Sequence, residues 1–266
     1  MRAIYQYFGY DLPLKERFAL MKQAGFDAVG LWSDADWQDE AKRRQCVKMA
    51  HAAGLAAIDA HAPRKAGFAD AIWLDTLDGE TTYDIYHRAI LTCGEDGVKN
   101  LVVHIETDRR TPPPNALGVS RIRRLLDLAE GCGVTIALEN IRNHSYLSYV
   151  FQRVDSPNLG FCYDAGHWNC NEPTVDFIAL YGDKLVALHL HDNDGRRDQH
   201  LLPFMGNVNW EAQMEKIRAT GYQGPITLES GLGGLWKAVP EDAPPAEVWL
   251  REANAAARRL EAMMLT

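Results

Sequence analysis

Eight short strand-like runs recur along this 266-residue chain, near residues 3–7, 27–31, 56–60, 101–105, 135–139, 159–163, 185–190 and 225–229. Between most of them lies a segment with helical periodicity. Leu14, Phe18 and Met21 recur at i, i+4 and i+7, and Gly25 is placed to stop that helix. Ser120 is expected to cap a helix that carries Ile122, Leu125, Leu126 and Ala129 and ends at Gly131. Thr174 and Asn209 are the expected caps ahead of VDFIALYG and WEAQMEKIRATG. Strands that alternate with helices imply a parallel sheet. Eight such units in 266 residues suit a closed (β/α)8 TIM barrel better than an open doubly wound sheet. No Ser/Gly-rich linker divides the chain, so a single domain over residues 1–266 is expected.

Six of these runs close on, or just before, a side chain able to bind a metal. The segments AAIDAHAP, NLVVHIET, TIALEN, GFCYDAGHWN, LVALHLHDNDG and PITLES carry His61, His104, Glu139, Asp164, His167, His189 and Glu229; Asp198 and His200 follow soon after His189. Singly, each has a bland alternative. A lone His61 or His104 is more often a satisfied core histidine than a ligand. Glu139 and Glu229 are harder to dismiss, because a carboxylate closing TIAL or PITL is costly to bury without a cation or a set of donors. Asp164 and His167, three apart beyond a strand, can reach one point from a turn. Of His189 and His191, only one is expected to point into the barrel. His189 fits the inward set, and His191 is assigned to the surface or to a supporting place behind a ligand. In a barrel the C-terminal ends of all strands open on one face, so these residues are expected to meet there.

Composition narrows the function classes. The net charge is −8 and the one basic run, RIRR at 121–124, is read as a solvated helix face. Binding to a phosphate backbone needs concentrated Lys and Arg, so nucleic acid is not an expected partner. No run approaches the roughly 18 apolar residues of a membrane span, and the opening MRAIYQYFGYDLP lacks the apolar core of a signal peptide. Five scattered cysteines without CxxC spacing read as reduced thiols in the cytoplasm, not as a sulfur-ligated zinc site. The longer connections 62–82 and 231–245, the second with Trp236, read as loops over the mouth; contacts in a homo-oligomer are the alternative. GLGG at 231–234 lacks the order of a dinucleotide fingerprint.

The strand-end Glu139, the DAGH of 164–167, the HLHDNDG of 189–195, the DQH of 198–200 with GNVNW after it, and the strand-end Glu229 resemble the xylose-isomerase-like TIM-barrel superfamily. That superfamily contains sugar and sugar-phosphate isomerases and epimerases, with the endonuclease IV type of apurinic-site nuclease as a relative. The resemblance covers residue 1 to about 260. It implies one divalent metal held by Glu139, Asp164, His189 and Glu229, with His167 touching substrate. The nuclease relative holds three zincs, and its extra ligands match His61, His104, His167, Asp198 and His200. In the sugar enzymes His61 and His104 would instead face substrate, together with Arg196. There are departures. Where relatives read Pro-Gly-Glu-Gly this chain has PFMG, with Phe204 and Met205; the nuclease's aromatic wedge is replaced by HAPRK; and the epimerases' arginine six residues past the metal histidine falls on Gly195, with Arg196 one later.

The nine side chains carry four carboxylates and five neutral histidines, a charge of −4. One divalent ion leaves about −2, two neutralise the set, and three give about +2, suited to a phosphodiester. Mixed oxygen and nitrogen ligation admits Mn, Mg, Co or Zn, and the histidine-rich version favours Zn. The leading expectation is a metal-dependent isomerase or epimerase of a sugar or sugar derivative, working through a metal-stabilised cis-enediolate with Glu139 and Glu229 moving the proton. The alternatives are a lyase or dehydratase on a keto-sugar or keto-inositol, a zinc phosphodiesterase, and a silent sugar-binding barrel.

Overall fold

The computed structural model describes residues 1–32, 40–63, 68–107, 110–233 and 240–265. Its strands are β1 (Arg2–Tyr5), β2 (Ala28–Trp32), β3 (Ala56–His61), β4 (Asn100–Val103), β5 (Thr135–Glu139), β6 (Leu159–Asp164), β7 (Leu185–His189) and β8 (Ile226–Leu228). They form one parallel sheet in the order β7-β6-β5-β4-β3-β2-β1-β8. A single bridge between Leu190 and Leu228 joins the two ends of that order and curls the sheet into a nearly closed (β/α)8 barrel. The helices are α1 (Leu14–Gln23), α2 (Glu40–Ala52), α3 (Leu77–Asp96), α4 (Ala116–Cys132), α5 (His144–Phe151), α6 (Ala165–Asn171), α7 (Phe177–Tyr181), α8 (Trp210–Ala219) and α9 (Ala246–Met263). No described helix is long and apolar enough to cross a membrane.

Two apolar layers result. The larger lies between strands and helices, where Phe18 and Met21 of α1 and Leu125 and Leu126 of α4 are buried as the helical spacing predicts. The smaller fills the barrel with Val102, Ala137, Cys162 and Ala187. Each of these four stands two residues before a site residue, His104, Glu139, Asp164 or His189, and period-2 alternation puts both on the same face. Small side chains below thus leave the long, polar ones to the mouth.

Helix starts differ from the sequence reading in two places. Asn115, not Ser120, caps α4, its Oδ1 accepting the Gly118 N–H at 3.1 Å, and the helix stops at Gly133 instead of Gly131. Asp176, not Thr174, caps α7 through the Ala179 N–H at 3.1 Å, whereas Asn209 caps α8 as expected. The physical reason is common to both: the side chain that meets the free N–H groups of the first turn sets the start, and those groups lie elsewhere than hydrophobic spacing suggested.

RIRR is not wholly a solvated face. Arg121 is buried and donates to the carbonyls of Ile72 (2.9 Å) and Leu74 (2.6 Å) and to the Glu80 carboxylate, collecting acceptors left by the 3-10 turn Ala69–Trp73. That turn makes much of the 62–82 connection ordered structure, with Trp73 Nε1 donating to the Ile105 carbonyl at 2.6 Å. Trp236 lies outside the described residues, but both flanks of its loop are tied to the segment after β1: Leu232 N–H donates to Phe8 O, and Tyr10 Oη to Pro244 O.

Candidate metal centre

The mouth gathers ligand atoms around Glu139. Its Oε2 lies 3.3 Å from His61 Nε2, 3.1 Å from His104 Nε2 and 3.2 Å from His189 Nδ1, while Oε1 lies 3.0 Å from His167 Nδ1. His189 Nδ1 is also 3.2 Å from Glu229 Oε2 and 4.0 Å from Asp164 Oδ2. Glu139, Asp164, His189 and Glu229 are all buried, each offering an atom within 4.8 Å of the others. A second group, His61, His104 and Glu139, meets the same limit. So does a third: His167, His191, Asp198 and His200.

Local structure aims each group. Asp164 ends β6 and caps α6, its Oδ1 accepting the His167 N–H at 2.6 Å, so the helix start fixes both residues of the DAGH motif. Asn140 locks that strand end from the side, exchanging two 2.8 Å hydrogen bonds with the Asp164 backbone. His61 Nδ1 donates to the Ala62 carbonyl at 2.7 Å, which leaves Nε2 as the free lone pair facing Glu139. His200 Nδ1 donates to the Glu229 carbonyl at 2.7 Å, turning its Nε2 towards Asp198 Oδ1 at 3.1 Å. To do this His200 takes a left-handed backbone (φ 50°), a strained conformation of the kind that collects at functional sites.

The electrostatics are those of carboxylates and imidazoles crowded on one point. Glu139 Oε1, His167 Nδ1, His189 Nδ1 and Glu229 Oε2 are buried and form no hydrogen bond of acceptable geometry, although they lie close to one another. Burial pushes the Glu139 carboxyl up, but His189 and His104 outweigh it and hold it well below the usual range. Burial opposes charge on His189 and His167, yet both are raised well above 6.5, His189 by Cys162 and Tyr5 and then by Glu229 and Glu139, and His167 by Asp164 and Asp198. His61 goes the other way, pushed by burial to about 4. Converging carboxylates, with imidazole lone pairs between them, form a donor set that a divalent cation satisfies, so the residues fit such an ion.

His191 corrects the surface alternative and the expectation that only one of His189 and His191 points inward, while its contact with Asp164 fits a supporting place behind a ligand. It is fully buried, stacked on His200 with ring centroids 3.8 Å apart, and its Nε2 lies 3.1 Å from Asp164 Oδ1 and 3.8 Å from Asp198 Oδ1. Residues two apart on an extended strand share a face, so His189 and His191 both enter the mouth. Gly166 of DAGH makes the room, since a Cβ there would lie 1.9 Å from the His191 ring. Arg196 is exposed, its N–H donating to Asp194 Oδ1, and is not gathered into the cluster.

Sequence reasoning passed over two further residues. Asp192 is buried and accepts from the N–H groups of Asn193, Phe204 and Val208 and from Trp210 Nε1, pinning the loop that carries Asp198 and His200. Phe204 keeps a positive φ of 75° there, the conformation a glycine would adopt readily, with Arg259 over its ring at 3.6 Å. Tyr5, at the end of β1, lies with its Oη 2.8 Å from His189 Nε2. Its place on one of the two strands, β1 and β2, that close without an acid or histidine concealed it, though its strand-end position was the available signal.

The sequence model of the xylose isomerase-like TIM barrel matches residues 18–258. Among curated proteins, the uncharacterised protein y4fM of Sinorhizobium fredii is 33% identical over 182 residues, 63% of this chain and 56% of its own length. Fructoselysine 3-epimerase of Escherichia coli O157:H7 is 29% identical over 129 residues, 44% of this chain and 47% of its own. The chain spans about half the length of the curated relatives it matches. Among solved structures, D-psicose 3-epimerase of Clostridium cellulolyticum H10 superposes with a TM-score of 0.79 at 17% identity, covering 99% of both chains. The 3-keto-D-glucoside 4-epimerase of E. coli does so with 0.73 at 18% identity, covering 97% of this chain and 99% of that one. At such identities the structural likeness speaks for the fold. The match over residues 18–258 speaks for more: this chain belongs to the xylose isomerase-like TIM barrel family.

Proposed function

We propose that the protein is a divalent-metal-dependent epimerase or isomerase of a sugar or sugar derivative, with Glu139, Asp164, His189 and Glu229 holding the ion. One observation carries the reading: two carboxylates from different strands, Glu139 and Glu229, each stand 3.2 Å from the same His189 Nδ1. The curated likeness to a fructoselysine 3-epimerase supports it. A bound divalent cation supplies Lewis-acid polarisation of a substrate carbonyl and the hydroxyl beside it. Glu139, held ionised by its histidine neighbours, takes the proton from the carbon next to that carbonyl. Glu229, approaching from β8 and itself held ionised by His189, takes a proton from a substrate hydroxyl or water and delivers it from the other side, while the proton on Glu139 passes to water. His61, His104 and His167 line the same mouth and orient hydroxyls. Arg196, exposed on its loop, has that role only for a substrate that reaches past the mouth. We assign the chain to the cytoplasm, a compartment in keeping with its five free cysteines.

The test is proton exchange. Purified protein loaded with Mn, Co or Zn is incubated with ketohexoses and keto-glycosides in D2O, and deuterium beside the carbonyl is followed by NMR. An epimer that differs from the substrate in mass only by its deuterium is expected, and Glu139→Gln should lose on the order of 10²–10⁴ in exchange rate, the usual worth of a general base. Full exchange in that variant would remove Glu139 from the role. Loss of water or of a glycosyl group would convert the assignment to a lyase on the same site.

A second reading has its own observation. The His61/His104/Glu139 and His167/His191/Asp198/His200 groups offer donors for two more ions around the first. Three ions would turn the site positive and suit hydrolysis of a phosphodiester. Metal content per chain separates the two: one ion supports the epimerase, and three with cleavage of abasic-site DNA support the hydrolase.

A further inference from the structure

We infer that Tyr5 is the positioning residue that makes His189 a ligand through Nδ1. The inference rests on the cation-binding part of the reading above, and not on which sugar is turned over. A neutral imidazole carries one proton, and a ligand nitrogen must be the one without it. His189 Nδ1 is the nitrogen that faces Glu139 and Glu229, so its proton belongs on Nε2. The acceptor in place there is the Tyr5 hydroxyl oxygen, 2.8 Å away, with both residues fully buried. A ligand histidine whose far nitrogen is held in this way keeps its tautomer and its ring angle, and such partners tune metal affinity.

The ring of Tyr5 is wedged so that its oxygen cannot drift. In the β1–β2 register Tyr5 lies opposite Gly30, and a Cβ on Gly30 would sit 2.8 Å from the ring. Trp32 packs on it at 4.9 Å between centroids, and the His189 ring meets it edge-on at 5.0 Å. The β1–β2 register runs unshifted from Ala3–Ala28 to Tyr5–Gly30, so the one residue of β2 without a side chain falls where the phenol needs space. Sequence, register and hydrogen bond therefore converge on one function for this tyrosine.

The experiment compares the full-length chain with Tyr5→Phe, which keeps the ring and removes the oxygen. Zinc or manganese affinity, measured by calorimetry with a competing chelator, is expected to fall about 10–100-fold. Unfolding of the metal-free protein should change far less than that of the zinc-loaded protein. On the parent, histidine ¹⁵N NMR of the zinc-loaded form should show the His189 proton on Nε2, so the idea stays testable if the variant folds poorly. Equal affinity in Tyr5→Phe, or a proton on Nδ1 in the zinc-loaded parent, overturns the role of Tyr5 and leaves the cation site standing. A parent chain that binds no divalent cation overturns both. Cation binding with the Tyr5 effect but no sugar turnover keeps this inference and removes only the proposed chemistry.

Discussion

His191 Nε2 lies 3.1 Å from Asp164 Oδ1, and through that contact the His189 and His200 clusters share a wall. Asp164 faces both: Oδ2 turns to His189 and His167, Oδ1 to the start of α6, and His191 Nε2 lies 3.1 Å from Oδ1 and 3.2 Å from Oδ2. Asp164→Asn keeps an oxygen for the helix cap and removes the charge. Elemental analysis after equilibration with zinc should therefore show loss of the ion held with Glu139, His189 and Glu229, and of any second ion that the parent holds at His191 and His200. Zinc retained by the variant at the parent level would mean that Asp164 is not a ligand.

Gly166→Ala tests the crowding directly. A methyl 1.9 Å from the His191 ring must push it off its stack with His200. Overpacking of this kind typically costs about 1–3 kcal/mol, which a urea titration of the metal-free protein would register. On the reading with further ions, zinc held at His167, Asp198 and His200 should weaken more than zinc held at Glu139 and Glu229.

Below the mouth, Asp59 is fully buried on β3, accepts one hydrogen bond from Asn100 Nδ2 at 2.8 Å, and is pushed by burial to about 6. The folded carboxyl keeps its proton to about pH 6, whereas the unfolded one loses it near 3.8. Across that window the folded state binds more protons, so stability falls as pH rises, by about 3 kcal/mol in full. Asp59→Asn has no such proton to lose and can still accept from Asn100. Its stability relative to the parent should grow by about 1 kcal/mol between pH 5 and pH 8 in metal-free protein. The comparison cancels His61, which titrates in the same range with opposite sign. A difference that does not change with pH would show Asp59 ionised throughout.

Cation binding should release protons. His189, His167 and His191 are all raised above 6.5 by their acidic neighbours, so the metal-free site holds protons at neutral pH that ligands cannot keep. Affinity is expected to rise with pH, about tenfold per unit for each proton displaced. Calorimetry in two buffers of different ionisation enthalpy counts them. Identical heats in the two buffers would place the histidines in the neutral form beforehand.

The barrel was legible in the sequence because each strand announces itself by its own apolar run, and six of the eight also by a polar ending. Glu139, Asp164, His189 and Glu229 could be read from those endings, and they meet where a common strand direction requires. What escaped depended on neighbours distant in sequence. Tyr5 owes its role to a histidine 184 residues away. Asp192 reads as one more loop acid until its four donors are placed around it. His191 was legible from strand periodicity alone, which puts it beside His189. Arg121 looked like part of a charged face because nothing local reveals the carbonyls of Ile72 and Leu74 that draw it inward.

The barrel closes at one seam, where Leu190 bridges Leu228, Leu190 N–H reaches Thr227 O, and Glu229 N–H reaches Leu190 O. His189, His191 and Glu229 stand at that seam, and Tyr5 reaches it from β1, which pairs with β8. Glu139 and Asp164 lie on neighbouring strands, but the proposed cage is complete only when β8 stands between β1 and β7. Capture of an ion by all four residues would therefore report that the barrel has closed.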